Sequence, residues 1–431
     1  MDGIAQGHTV TGGQARPYDR RPDMATASTL ADEFLLLACL RYSPDDGEDR
    51  WRRASALLDA HPEIRTATVH TAAACADVGA LRRLLGADRT LVRTDGGPFD
   101  WPPLLYLTYA RHDAAVTEAA AVGAARLLLD AGADPNAGYL WDGESPPFTA
   151  LTGALGGGER GEDNQPRHPH SIALARLLLE AGANPNDGQA LYNRMFGRDD
   201  DHLTLLLEFG LGRGDREPWT SRRGAGPESP ASLLGDQLGW AILHEHHARI
   251  ALLLDRGAEP DRRLRNGRTP LELATVYGKT HAARLLTAAG ATGPELDPVD
   301  RLMAAGMIAD RPTAAALVDA QPGLAAAAAA RHPSAILRAT GAGNADAVQL
   351  LAELGFDVNA LGRADLPIEE PWETALHASA GAGNRDLVVL LLGLGADPSV
   401  SDQRFGSTPA AWAAHFGHSI SELEAPPPER A

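Results

Sequence analysis

The residues with the plainest capacity for chemistry are histidines. His244-Glu245-His246-His247 sets three imidazoles and a carboxylate in four consecutive positions. Such groups ligate zinc, and a carboxylate beside the ion can act as a general base. The spacing departs from the helix-borne zinc motif, whose two histidines lie four apart with a glutamate beside the first. His168 and His170, in "RHPHS", are a second pair able to chelate a metal, but no carboxylate stands near at good spacing. Asp199-Asp200-Asp201 is a carboxylate run that could draw a cation. "GGGERGED" lacks the Gly-Lys-Ser/Thr ending of a phosphate loop, and there is no Gly-x-Ser-x-Gly elbow. No set of nucleophile, base and orienting group emerges. Catalytic residues, cofactor and resident metal are therefore all left unassigned.

The elements that carry these residues recur along the chain. In "RTPLELATVYGKTHAARLLTAAGA", Arg268 to Ala291, Thr269 stands at a helix N-cap and Pro270 at the first helical position. Leu271, Ala274 and Val276 make one apolar face, and Gly278 breaks the helix. A second helix is expected from about Thr280 to Ala289, closed by Gly290 in a left-handed cap. The 21 positions from Thr269 to Gly290 repeat without a gap at Thr374–Gly395, Ser334–Gly355, Gln189–Gly210 and Asp236–Gly257. Gly257 to Gly290 is 33 residues. On this ruler His244–His247 align with Tyr277–Thr280, the turn between two helices. Asp199–Asp201 also fall in such a turn, where a solvated polar stretch is the ordinary finding.

A loop follows each pair: "GADPN" at 132–136, "GANPN" at 182–186, "GAEPD" at 257–261, "GFDVN" at 355–359 and "GADPS" at 395–399. Together with "TALH" at 374–377 and the 33-residue period, these motifs resemble the ankyrin-repeat family. The resemblance spans roughly residues 30–423. It implies an all-α fold, an ankyrin-type α-solenoid of stacked helix-turn-helix units joined by β-turn finger loops. About ten units fit, or eleven if "STPAAWAAHFGHSISELEA" is a capping repeat. The units at "SALLDAHPEI", "LRRLLGADRTLV" and 297–324 diverge most. The resemblance gives His377 a structural part, tying the turn through hydrogen bonds.

Two steps exceed the period. Gly132 to Gly182 is 50 residues and Gly210 to Gly257 is 47. The excess lies in Gly/Pro/charge-rich segments, which composition places on the surface. The expected layout is a disordered tail at 1–27, repeats over 28–211 with an insertion near 153–170, an insertion and candidate hinge at 212–232, repeats over 233–423 and a Pro-rich disordered tail at 424–431.

Composition narrows the functions open to such an array. Net charge is −18, which repels phosphate backbones and argues against non-specific nucleic-acid binding. Apolar residues make up 44% but aromatics only 5%, so the core must be built of Ala and Leu. Lys279 is the sole lysine, a bias expected of a GC-rich bacterial coding sequence. Cys39 and Cys75 lie in Ala/Leu-rich stretches and are expected to be buried thiols. The N-terminus shows no apolar signal region, and no apolar run is long enough to span a membrane. A cytoplasmic monomer without membrane contact is expected.

Phe99, Trp101, Tyr106, Tyr109, Tyr139, Trp141 and Phe148 crowd into one region of an aromatic-poor chain. Trp101, Phe148, Arg268 and Glu373 each stand just before the Thr-Pro position. The resemblance places this slot, and the finger before it, on a concave binding face. Large aromatics there suit an interaction hot spot. Trp101, Tyr139, Trp141, Phe148 and Arg268 are therefore the expected contacts for a protein partner, whose identity the sequence does not give. Tyr106 and Tyr109 would equally serve as core. The main expectation is a non-catalytic scaffold. Its rivals are a metal-binding sensor or hydrolase using the histidines, and an acidic inhibitor that mimics nucleic acid.

Overall fold

The computed structural model describes residues 29–112, 116–143, 146–214, 229–293, 296–363 and 370–424. Both expected tails apart from Glu424, most of the 212–232 insertion and residues 364–369 lie outside them. By its internal contacts the chain divides into two units, with the boundary between Gln237 and Leu238. The described residues are mostly helical, with one two-stranded ribbon.

The helix pair around Thr269 shows how sequence sets local structure. The Thr269 hydroxyl accepts from the Glu272 backbone N–H at 3.2 Å, and the Glu272 carboxylate accepts from the Thr269 N–H at 2.8 Å. This reciprocal cap starts the helix Pro270–Val276. Gly278 takes a positive φ of 67°, and the second helix runs Thr280–Ala288. Gly290, at φ 91°, then turns the chain so that Ala291 donates to Leu286 O. The same design builds Ala375–Gly381 with Arg385–Gly393, where Thr374 caps and His377 replaces glutamate.

Within each unit, pairs pack like on like. In the first, the helices Val69–Ala74, Pro103–Tyr109, Ala150–Leu155 and Gly188–Met195 contact one another in succession. Their partners Val78–Ala87, Glu118–Ala131, Ser171–Glu180 and Asp201–Glu208 do the same. In the second, Ala335–Gly341, Ala375–Gly381 and Pro409–His415 form such a row. No pair buries its apolar face alone, so each neighbour supplies the cover. The cores are Leu and Ala, as composition required. Cys39 and Cys75 are buried and unlinked.

The loop signature has a physical basis in asparagine. Asn136 donates from Nδ2 to Gly182 O at 3.0 Å, and its Oδ1 accepts from Asn184 N at 2.8 Å. Asn186 repeats the bridge one step on, to Arg213 O at 2.9 Å and from Gly212 N at 2.8 Å. In the second unit Asn359 joins Gly395 O and Asp397 N, at 3.2 and 2.7 Å. Each bridge satisfies one backbone donor and one acceptor in the following loop.

The insertion near 153–170 is partly buried, against its surface-like composition. Gly156, Gly157 and Gly158 all take positive φ and turn it back. Gln165 and His168 are buried. The buried Arg111 donates to Pro166 O at 3.0 Å, Gly153 O at 2.7 Å, Thr108 O at 3.0 Å and Ala110 O at 2.9 Å. Burial pulls its guanidinium down to about 10.

Candidate functional site

The aromatic finger is built from the strand pairing Gly138–Tyr139 with Phe148–Thr149. Trp101 lies against it: its ring is 4.7 Å from Tyr139, 4.5 Å from Phe99 and 5.2 Å from Tyr109. Tyr139 stacks on Phe148 at 5.5 Å, and Phe148 meets Tyr42 at 4.8 Å. Hydrogen bonds stitch the cluster to the backbone. Tyr106 donates to Gly96 O at 2.7 Å and Tyr109 to Thr149 O at 2.9 Å. Burial holds the phenols of Tyr106, Tyr109 and Tyr139 well above their usual range, so they stay neutral.

The five expected contact residues thus occupy different settings. Trp101 is 5% exposed and Phe148 7%, so both line the underside of the finger. Tyr139 and Trp141 are half-buried, with the Tyr139 hydroxyl and the Trp141 indole nitrogen away from solvent. Arg268 is engaged elsewhere: its guanidinium holds Asp300 through contacts of 2.5 and 3.1 Å. Asp300 also accepts from His332 Nε2 at 3.0 Å. Burial opposes ionisation of Asp300, but the bonds from Arg268 and His332 outweigh it and lower the carboxyl.

The histidine clusters are tied into local structure. His244 stacks on Trp240 at 3.8 Å and its Nδ1 donates to Trp240 O at 2.9 Å. His247 stacks on His281 at 4.0 Å, and Glu245 faces Lys279 at 3.6 Å. His244–His246 form the turn before the helix His247–Asp255, whose first residue is His247. His168 accepts at Nδ1 from His170 N at 3.0 Å, and His170 Nε2 donates to Val116 O at 2.5 Å. Burial drives His168 well below its usual range. These two histidines border an open cleft of about 630 Å³ with Glu118, Glu162, Arg167 and Asp201.

Among the described residues, one group brings three metal-capable side chains within reach of a common ion: Asp199, Asp201 and His202. Two arginines already hold its carboxylates. Arg194, 2% exposed, pairs with both Asp199 and Asp201. Arg167 lies 3.6 Å from Asp199 and 3.0 Å from Asp201. A hydrogen bond from His202 pulls Asp201 below its usual range; burial opposes this, and the Asp199 and Arg194 side chains add to it. The cluster is an internal ion pair by its chemistry, since a cation would have to displace guanidinium.

The second unit carries its own capped pair in the segment beginning at Trp372. Thr374 N donates to His377 Nδ1 at 3.2 Å, and His377 Nε2 donates to Ser407 O, in the next finger, at 3.0 Å. Burial lowers the His377 pKa, which favours this neutral, two-way role. The ankyrin-repeat profile matches residues 372–403. The match covers this one pair and its loop. No curated protein matches the chain. No helix among the described residues is long and apolar enough to cross a membrane.

Sequence reasoning missed the asparagine bridges, Arg111 and the role of Arg268. The loop motif marked the asparagines, but their partners lie in the following loop. Nothing in the sequence pairs Arg268 with Asp300.

Proposed function

We propose that this chain is a non-catalytic protein-interaction module, with the helix pairs forming an ankyrin-type solenoid. The observation that carries this reading is the segment 372–403, where the family match coincides with a capped helix pair bridged to the next finger by His377. The asparagine bridges support it, because they repeat the same inter-pair link along the chain. Fingers held this way are preorganised, which lowers the ordering cost of binding. The array would receive a protein partner on its concave face as a cytoplasmic monomer.

The finger of the first unit is the proposed contact. Tyr139 and Trp141 would meet the partner, while Trp101 and Phe148 support them from beneath. Arg268 would act indirectly, by holding its own repeat through Asp300. Affinity capture from lysate of the source organism tests this. A Tyr139→Ala/Trp141→Ala variant should lose the captured protein with an unchanged helical spectrum. Retention of the same partner by that variant would move the contact to another loop.

A further inference from the structure

The first unit carries a tie that runs across its helix pairs. In a stacked array each pair ordinarily meets only its neighbours. Residues 38–47 depart from that rule. Leu40 N donates to Tyr109 O at 2.9 Å, and Arg111 N donates to Ala38 O at 2.8 Å. These bonds join the end of the helix Leu30–Ala38 to the end of Pro103–Tyr109, although Val69–Ala74 stands between the two in the row. The loop that follows is held by Asp46. Its carboxylate accepts from Arg41 N at 3.3 Å and Ser43 N at 2.9 Å, and it pairs with the buried Arg50. Tyr42 takes a φ of 57°, rare for a bulky side chain, and its ring lies 4.8 Å from Phe148 in the finger.

The insertion reaches the same loop. Arg160 Nη1 donates to Ser43 O at 2.9 Å, a link between residues 117 positions apart. The insertion is closed on itself by the buried Gln165, which accepts from Gly157 N at 3.1 Å and, through Oε1, from Arg160 N at 2.9 Å. It also seats on the pair that follows. Tyr192 donates its hydroxyl to Glu159, and Arg167 Nη1 donates to Asp201 Oδ2 at 3.0 Å. At Gly157, where φ is 84°, an added Cβ would come within 2.7 Å of Asn193 O, so the two backbones touch there. Contacts therefore run from the first helix pair, through the loop 41–47 and the insertion, to the helices Gly188–Met195 and Asp201–Glu208.

We propose that residues 38–47 and 156–167 act together as a brace, which makes the first helix pair, the aromatic finger and the helices of 188–208 open as one block. In a stack held only by neighbours, an end pair can open alone at low cost. Here the first pair cannot leave without breaking its bonds to Tyr109, Arg111 and Arg160. The finger is included because Tyr42, inside the brace, backs Phe148, and Phe148 pairs with Tyr139 in the ribbon. The device needs no partner, so it stands or falls separately from the interaction reading.

The test is native-state hydrogen exchange of the full chain in low urea, read by mass spectrometry. In the wild type, amides of Glu48–Ala60, of the ribbon strands and of Gly188–Met195 should exchange with one shared dependence on urea. Two variants disturb the insertion where it meets Gly188–Met195. Tyr192→Phe deletes one hydroxyl, and Gly157→Ala forces the backbones apart. Each should speed exchange at least about twofold in all three segments, the first pair included, with helical content unchanged. Arg160→Ala cuts the brace at its middle and should give Glu48–Ala60 a separate opening, exposing less surface than the shared one. Faster exchange confined to residues 153–208, or no change in any segment, would overturn the proposal. So would separate urea dependences of the three segments in the wild type. If Gly157→Ala loses helical content, Tyr192→Phe decides alone, because it removes a single oxygen.

Discussion

At the scale of single residues, the charge network around Asp300 decides how Arg268 behaves. Asp300 is buried, and its oxygens serve Arg268, His332 and, more distantly at 3.7 Å, Arg331. Removing the carboxylate strands a half-buried guanidinium. Asp300→Asn should cost about 2 kcal/mol at neutral pH. The sign of the pH effect follows from the lowered carboxyl. A depressed folded pKa stabilises the protein above the unfolded value, near 4, and that contribution fades as pH falls through the folded value. Urea melts of wild type and variant should therefore differ at pH 7 and converge as pH falls below about 4. A gap that persisted in acid would assign the effect to packing. Sequence placed Arg268 at an outward slot, and it is partly outward. Its engagement was not legible because Asp300 belongs to the next, divergent unit, where the period gives no register.

At the scale of elements, local signals were the readable ones. Thr269, Pro270 and Gly290 act within one turn of their own position, so their caps follow from chain order alone. The asparagine bridges need a neighbour, and an intervening insertion stretches the distance in sequence from Asn136 to its partners. The insertion itself misled for the same reason: Gly and charge suggested solvent, yet Arg111 supplies four carbonyl contacts that composition cannot forecast. The finger aromatics were legible as a cluster but not as layers, because exposure depends on how Trp101 packs beneath Tyr139. The bridges invite a direct measurement. Asn186→Ala leaves Gly212 N and Arg213 O without their partner, and Asn186 itself is buried. A loss of about 1–3 kcal/mol is expected. Asn186→Asp keeps the acceptor and should lose less. Asp261 shows that an acceptor alone can serve, taking Thr292 N at 2.9 Å. Denaturant titration of both variants, read by far-ultraviolet dichroism, orders them. Equal losses would mean that the bond accepted from Gly212 N contributes nothing.

At the scale of the whole molecule, charge sets the terms. Fifty-seven acidic groups face thirty-nine basic ones, and several arginines are already spent on internal pairs such as Arg194 with Asp199 and Arg311 with Glu353. The remaining surface repels itself. Exposed ion pairs each contribute little, whereas the excess of like charge acts over the whole surface. Salt screens the long-range repulsion first, because close pairs lie well inside the Debye length, about 8 Å at physiological ionic strength. The melting temperature should therefore rise between about 10 and about 300 mM sodium chloride, and duplex DNA should show no association even at the low end. A melting temperature that fell with salt would mean that attractive pairs, not net charge, dominate the surface.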